Sequence, residues 1–125
     1  MGDTGRKSIL LVDDSRAVRQ LLKFMLSSHM TLDIQEAGDG VEAVNKLEEK
    51  EFDLVITDIR MPRMDGLSLI KKVRSDISPE IPIIVISTLG KEADRDAGLQ
   101  LGANSYVTKP IQAPALISEV RDLLS

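Results

Sequence analysis

Two kinds of apolar pattern alternate along the chain. Residues 8–12 and 83–87 are short runs of leucine and β-branched residues without polar alternation, the form of a strand covered on both faces. Residues 53–58, with Leu54, Val55 and Ile56 at their centre, read the same way. Residues 31–37 are less apolar and predict an edge strand, and residues 105–108 predict a short fifth strand. Between these runs the period changes to three and four. Val18, Leu21, Leu22, Met25 and Leu26 follow a Ser15 cap; Val41, Val44 and Leu47 follow the Gly38-Asp39-Gly40 turn; a third helix opens at Asp65 and Gly66 and runs through Ile70, Val73 and Arg74. The last helix, 113–124, places Leu116, Ile117, Val120, Leu123 and Leu124 on one side. The fourth, 91–101, has only a thin stripe of Ala93, Ala97 and Leu101 and carries Gly98 inside, which predicts a weakly held, movable element capped by Gly102. Five strands alternating with five helices give an α/β domain with a parallel sheet covered on both faces. Right-handed crossovers favour a doubly wound three-layer sandwich of strand order 2-1-3-4-5, in which function gathers at the carboxyl ends of the strands.

The composition narrows the chemistry. A chain of 125 residues holds one domain with a proper core, taken here as residues 8–125 after a flexible leader at 1–7. Sixteen Lys and Arg against 20 Asp and Glu leave a net charge of −4, which argues against nonspecific nucleic-acid binding by this domain. Cysteine is absent, so disulfides, thiolate metal sites and cysteine nucleophiles are excluded. The start of the chain lacks the apolar segment of a secretion signal, and no apolar run approaches the roughly 20 residues that span a bilayer. A cytoplasmic location without membrane insertion is the expectation.

The polar residues that end the apolar runs are unlike the rest. Asp13 and Asp14 follow strand one, Asp58 ends strand three, Ser87 ends strand four and Lys109 follows strand five. Strands one and three are neighbours in the expected order, so three carboxylates converge, and like charges that close need a compensating cation. Oxygen donors without thiolates point to a hard divalent ion, Mg2+ before Ca2+, with the backbone carbonyl of Met61 available to complete the ligand set. An amine, a hydroxyl and a metal around one carboxylate suit phosphoryl transfer, with Asp58 as the nucleophile. Neither GxxxxGK[ST] nor GxGxxG is present, which speaks against nucleotide binding. His29, at the end of the first helix, reads as a residue favoured by the helix dipole, without a catalytic role.

The acidic pair of LLVDDS, Asp58 within DIRMPRMDG, Ser87 after VI, and the lysine of VTKP together resemble the receiver domain of bacterial two-component response regulators, of the single-domain chemotaxis type. The resemblance covers the chain from Ser8 onward. It implies the flavodoxin-like fold, whose strand order is the one already expected, so the order and the resemblance count as a single expectation. It implies that Asp58 is the phosphoacceptor, that Asp13 and Asp14 hold Mg2+ with Asp58 and the Met61 carbonyl, that Ser87 receives a phosphoryl oxygen, and that Lys109 pairs with Asp58 or its phosphate. The donor would be a phosphohistidine on a sensor kinase, or acetyl phosphate. Tyr106 matches the switch position that turns inward when Ser87 moves, reshaping the face of helix four, strand five and helix five for a downstream protein. The only reactions catalysed would be the domain's own phosphorylation and dephosphorylation, and a separate phosphatase is a further expected partner.

Two positions depart from a fast-resetting switch. Arg60 is long and cationic and Leu89 is apolar, where family members with polar groups help place the attacking water; the expectation is an arginine that covers the phosphate and a slow autodephosphorylation. Thr88 is larger than the alanine or glycine common there, and would crowd the phosphate. Three alternatives stay open: a Mg2+-dependent aspartyl-nucleophile phosphatase, although Asp13-Asp14-Ser15 lacks the second acid two residues on; a noncatalytic interaction module; and the N-terminal receiver of a longer DNA-binding regulator.

Overall fold

The computed structural model describes residues 6–125. Most of the expected leader therefore lies outside the described residues, and Lys7 already belongs to the first strand. The strands are β1 (Lys7–Val12), β2 (Leu32–Ala37), β3 (Leu54–Asp58), β4 (Ile83–Thr88) and β5 (Ser105–Lys109); the helices are α1 (Arg16–Ser27), α2 (Gly40–Glu49), α3 (Gly66–Lys72), α4 (Glu92–Leu101) and α5 (Ala113–Leu124). All neighbouring strands are parallel and the sheet order is β2-β1-β3-β4-β5, as expected from the sequence. The register aligns Val12 with Thr57 and Asp58 with Ile86, which brings the acids that follow β1 to the end of β3.

Side-chain alternation splits the sheet between two apolar layers. Leu10, Val12, Val55, Ile83 and Val85 pack with Val44, Leu47, Leu69 and Ile70 of α2 and α3. Ile9, Leu11, Leu54, Ile56, Ile84 and Ile86 pack with Leu22, Leu26, Leu116, Ile117 and Val120 of α1 and α5. Every residue of β3 is buried, so its interior apolar positions have no polar side. Truncating a side chain such as Ile56, with no exposed surface, to alanine removes about 2–5 kcal/mol of stability.

Three helical readings change. In α1 the stripe centres on Leu22 and Leu26, and Leu21, about 100° round the helix from Leu22, is 46% exposed. The third helix does not run as one α-helix through Arg74: a π-helical segment, Val73–Ile77, takes over, and Arg74 leaves the helix face to donate to the Gly102 and Ser78 carbonyls and to Asn104 Oδ1. In α4 the expected stripe of Ala93, Ala97 and Leu101 is not the buried face. Gly98 is the one buried residue, because a glycine there lets the helix approach β4; an added Cβ would stand 3.1 Å from Val85 Cγ2.

Candidate functional site

Local rules seat each acid. Ser15 caps α1 by accepting from the Val18 N–H, which turns the chain directly after β1. Asp13 Oδ1 accepts from the Ser15 N–H at 2.8 Å, and Arg19 Nη1 donates to the Asp13 carbonyl at 2.6 Å. Asp58 closes β3; its Oδ1 accepts from the Ile59 N–H at 2.8 Å and its carbonyl accepts from Thr57 Oγ1. The chain then leaves through a loop that returns on itself where the Gly66 N–H donates to the Ile59 carbonyl at 2.7 Å. Only glycine fits at 66, since an added Cβ would lie 2.1 Å from the Asp58 carbonyl oxygen.

The acids meet as expected. Asp13, Asp14 and Asp58 each offer a carboxylate oxygen within 4.8 Å of the others, the first and last buried and Asp14 exposed. Lys109 comes from the end of β5, with Nζ 3.8 Å from Asp58 Oδ2 and 3.9 Å from Asp13 Oδ2. Those separations are ion pairs and exceed hydrogen-bond length. Asp13 Oδ2 is accordingly buried with no hydrogen-bond partner. Burial pushes both the Asp13 and the Asp58 carboxyls up from their ordinary value; neighbouring acids add to this, while Lys109 and the backbone donors Ser15 and Ile59 oppose it. A buried acceptor without a donor, two carboxylates costly to ionise and a single lysine make a donor set that fits a hard divalent cation.

The remaining expected residues surround this pocket in different ways. Ser87 is buried, and its hydroxyl lies 3.3 Å from that of Thr108, opposite it on β5. Tyr106 is 40% exposed, its ring outside the core, with the Arg95 guanidinium 4.8 Å from the ring centroid. Met61 is half-buried on the loop after β3 and packs against the α2–α3 layer. Leu89 is 71% exposed beyond β4, and Thr88 is exposed beside it. Arg60 does not lie over Asp58: Nε and Nη2 donate to Asp94 Oδ2 of α4, at 3.1 and 2.9 Å. His29 sits beyond α1 with Nδ1 3.1 Å from the Met25 carbonyl oxygen, away from the pocket.

Sequence reasoning missed four contributors. Asp39 caps α2 through the Glu42 N–H and pairs with Arg63 at 2.8 Å; the cap and the guanidinium hold its carboxyl below the usual range. Arg63 has φ 65, and it ties the loop after β3 to the loop after β2, where the Gly40 N–H also donates to the Met64 carbonyl. Asp94 and Thr108 complete the set. Asp39 was legible as a turn residue; its partner 24 positions on, like that of Asp94, left no local signal.

An α/β sheet of this order with three acids and a lysine at one end defines a receiver-like domain, and sequence comparison agrees. The chain belongs to the response regulator receiver domain family, whose profile it matches over residues 9–121. It is 44% identical over 113 residues to the chemotaxis protein CheY1 of Helicobacter pylori, covering 89% of this chain and 90% of that one. It is 39% identical over 116 residues to the response regulator MprA of a Mycobacterium species, covering 93% of this chain and 50% of that one. The chain thus spans about half the length of several curated relatives that it matches. Among solved structures it superimposes on the receiver domain of the Francisella response regulator 1452 with TM-score 0.85 and 31% identity, covering 95% of this chain and 97% of that one. The chemotaxis response regulator CheY4 of Vibrio cholerae gives TM-score 0.86 and 29% identity, over 95% and 99%. Among the described residues no helix is long and apolar enough to cross a membrane.

Proposed function

We propose that this domain is a phosphorylation-activated switch that accepts a phosphoryl group on Asp58. The observation that carries the reading is the pocket itself: a buried carboxylate fixed through one oxygen by the Ile59 N–H, with its second oxygen facing Lys109 and two further acids alongside. Asp13, Asp14, Asp58 and the Met61 carbonyl would hold Mg2+, whose charge neutralises the equatorial oxygens of the phosphoryl group. An Asp58 oxygen attacks phosphorus, forming the acyl phosphate as the P–N bond to a histidine imidazole, or the P–O bond of acetyl phosphate, breaks; the imidazole leaves with a proton taken from solvent, and acetate leaves as the anion. Lys109 is close enough to follow the new negative charge. Ser87 exchanges its Thr108 contact for a phosphoryl oxygen, and Tyr106 turns in from its exposed position, which alters the surface of α4, β5 and α5 for a protein target.

A sensor histidine kinase is the proposed donor. For the output, the 44% identity to CheY1 supports a chemotaxis-type docking protein. A transcriptional output is the second reading, supported by a transcriptional regulator of Guillardia theta of which this chain spans 46%. Neither Arg60, whose guanidinium has no acceptor for a water proton, nor the apolar, exposed Leu89 offers a group to activate a hydrolytic water, which supports a long-lived phosphoryl state. Incubation with acetyl phosphate and Mg2+ followed by intact-mass measurement tests the reading. A gain of one phosphoryl group that Asp58→Ala abolishes is expected. Turnover of free phosphate esters would indicate a phosphatase instead, and an unchanged mass a noncatalytic module.

A further inference from the structure

Helix α4 is held differently at its two ends. At the C-terminal end the Gly102 carbonyl accepts from Arg74 Nε and Nη2 at 3.0 and 2.8 Å, and Arg74 Nη2 reaches Asn104 Oδ1, which also accepts from the Ile83 N–H at 2.9 Å. That end is tied to the entries of β4 and β5 together. At the N-terminal end Lys91 provides no side-chain cap, and of the ten residues of the helix only Gly98 is buried. The first turns are held instead by two neighbouring side chains. Asp94 accepts two hydrogen bonds from Arg60, and Arg95 stacks on Tyr106. Arg60 stands two residues after Asp58, on the loop that leaves β3.

We infer that Asp94 is a positioning residue for the phosphoacceptor reaction, one that acts by holding the Arg60 guanidinium on α4 until a phosphoryl group at Asp58 draws it away. The inference rests on the reading of Asp58 as the phosphoacceptor. An arginine keeps its charge at any working pH and its planar fork matches phosphoryl oxygens, which carry more charge than one carboxylate. A guanidinium bound to the phosphoryl group leaves Asp94, so the first turn of α4 loses its tie to the loop after β3 in the same exchange. Arg95 stands on that same turn, so freeing the turn also loosens the stack on Tyr106 that keeps the ring outside. Because coupling is reciprocal, the Arg60–Asp94 pair resists phosphoryl binding by the factor with which the phosphoryl group loosens α4. The pair is exposed on the Arg60 side, so that factor is modest, about two- to fivefold, and shrinks as salt is added.

Titration with beryllofluoride and Mg2+, a noncovalent mimic of the acyl phosphate, tests this in four proteins: the parent, Asp94→Asn, Arg60→Gln and the double variant. Asp94→Asn is expected to tighten apparent beryllofluoride affinity about two- to fivefold, Arg60→Gln to weaken it, and Asp94→Asn to have no effect once Arg60 is gone. An unchanged affinity in Asp94→Asn, or an equal shift with and without Arg60, overturns the inference and leaves the phosphoacceptor reading intact. A parent that binds no beryllofluoride overturns both.

Discussion

Replacing Asp13 by asparagine should make the domain more stable when no divalent ion is present. With an effective dielectric constant near 20, the repulsion between Asp13 and Asp58 at the 4.8 Å limit of the cluster is about 3.5 kcal/mol, and the attraction of Lys109 for Asp13 at 3.9 Å is about 4.3 kcal/mol. Asp14 is exposed, and at the dielectric of water it adds roughly 0.9 kcal/mol of repulsion. The pairwise interactions nearly cancel, so what decides the sign is the burial of a charged oxygen that has no hydrogen-bond donor. Asparagine keeps an oxygen for the Ser15 N–H and removes the charge; the net gain should be about 2 kcal/mol, or about 8 °C in midpoint for a chain of this length. Thermal unfolding followed by circular dichroism at neutral pH in a chelator is the assay. Excess Mg2+ should then raise the midpoint of the parent but scarcely that of the variant, because only the parent has the full donor set. The pH dependence carries the same sign. Both Asp13 and Asp58 titrate above their ordinary value, so the native state binds more protons than the unfolded chain between that value and the raised one. The metal-free parent should therefore gain stability as pH falls from neutral through the raised values, and Asp13→Asn should gain less. A variant that melts below the parent in chelator would show that the charge stabilises the fold, and would refute the reasoning.

Other outcomes follow from the same geometry. Gly66→Ala forces a methyl group against the Asp58 carbonyl and should cost more than about 3 kcal/mol in urea unfolding, whereas Gly38→Ala, whose added methyl would meet nothing closer than Glu42 Oε1 at 3.4 Å, should lose far less. Beryllofluoride with Mg2+ should shift the amide resonances of residues 88–112, and silence across that stretch would exclude a response of α4 and β5. Arg60→Asn combined with Leu89→Glu should shorten the half-life of the phosphorylated protein several-fold, measured by loss of the phosphoryl mass; an unchanged half-life would remove the proposed role of both residues.

Much of this architecture was readable because it rests on local rules. The apolar runs at 8–12, 53–58 and 83–87 are strands because residues covered on both faces need no polar alternation, and a carboxylate at the end of such a run marks the mouth of a parallel sheet. Asp13, Asp14, Asp58 and Lys109 could be brought together from strand order alone. What escaped depends on pairings between distant positions. Arg60 was expected to cover the phosphate, and its tie to Asp94, 34 residues on, left no local signal. Gly98 read as a weakness in a helix, yet it is the surface by which α4 touches Val85. Arg74 read as part of a continuing helix; the π-helical segment exists where its guanidinium reaches across to Gly102 and Asn104.

The most direct test of the central claim is to find which residue carries the phosphoryl group. The protein is loaded with acetyl phosphate and Mg2+, reduced with borohydride, which converts an aspartyl phosphate to homoserine, and digested for tandem mass spectrometry. Homoserine at position 58, and aspartate retained at positions 13 and 14, is the predicted result. Aspartate retained at 58 while the folded, Mg2+-loaded protein carries its phosphoryl group elsewhere would contradict the account.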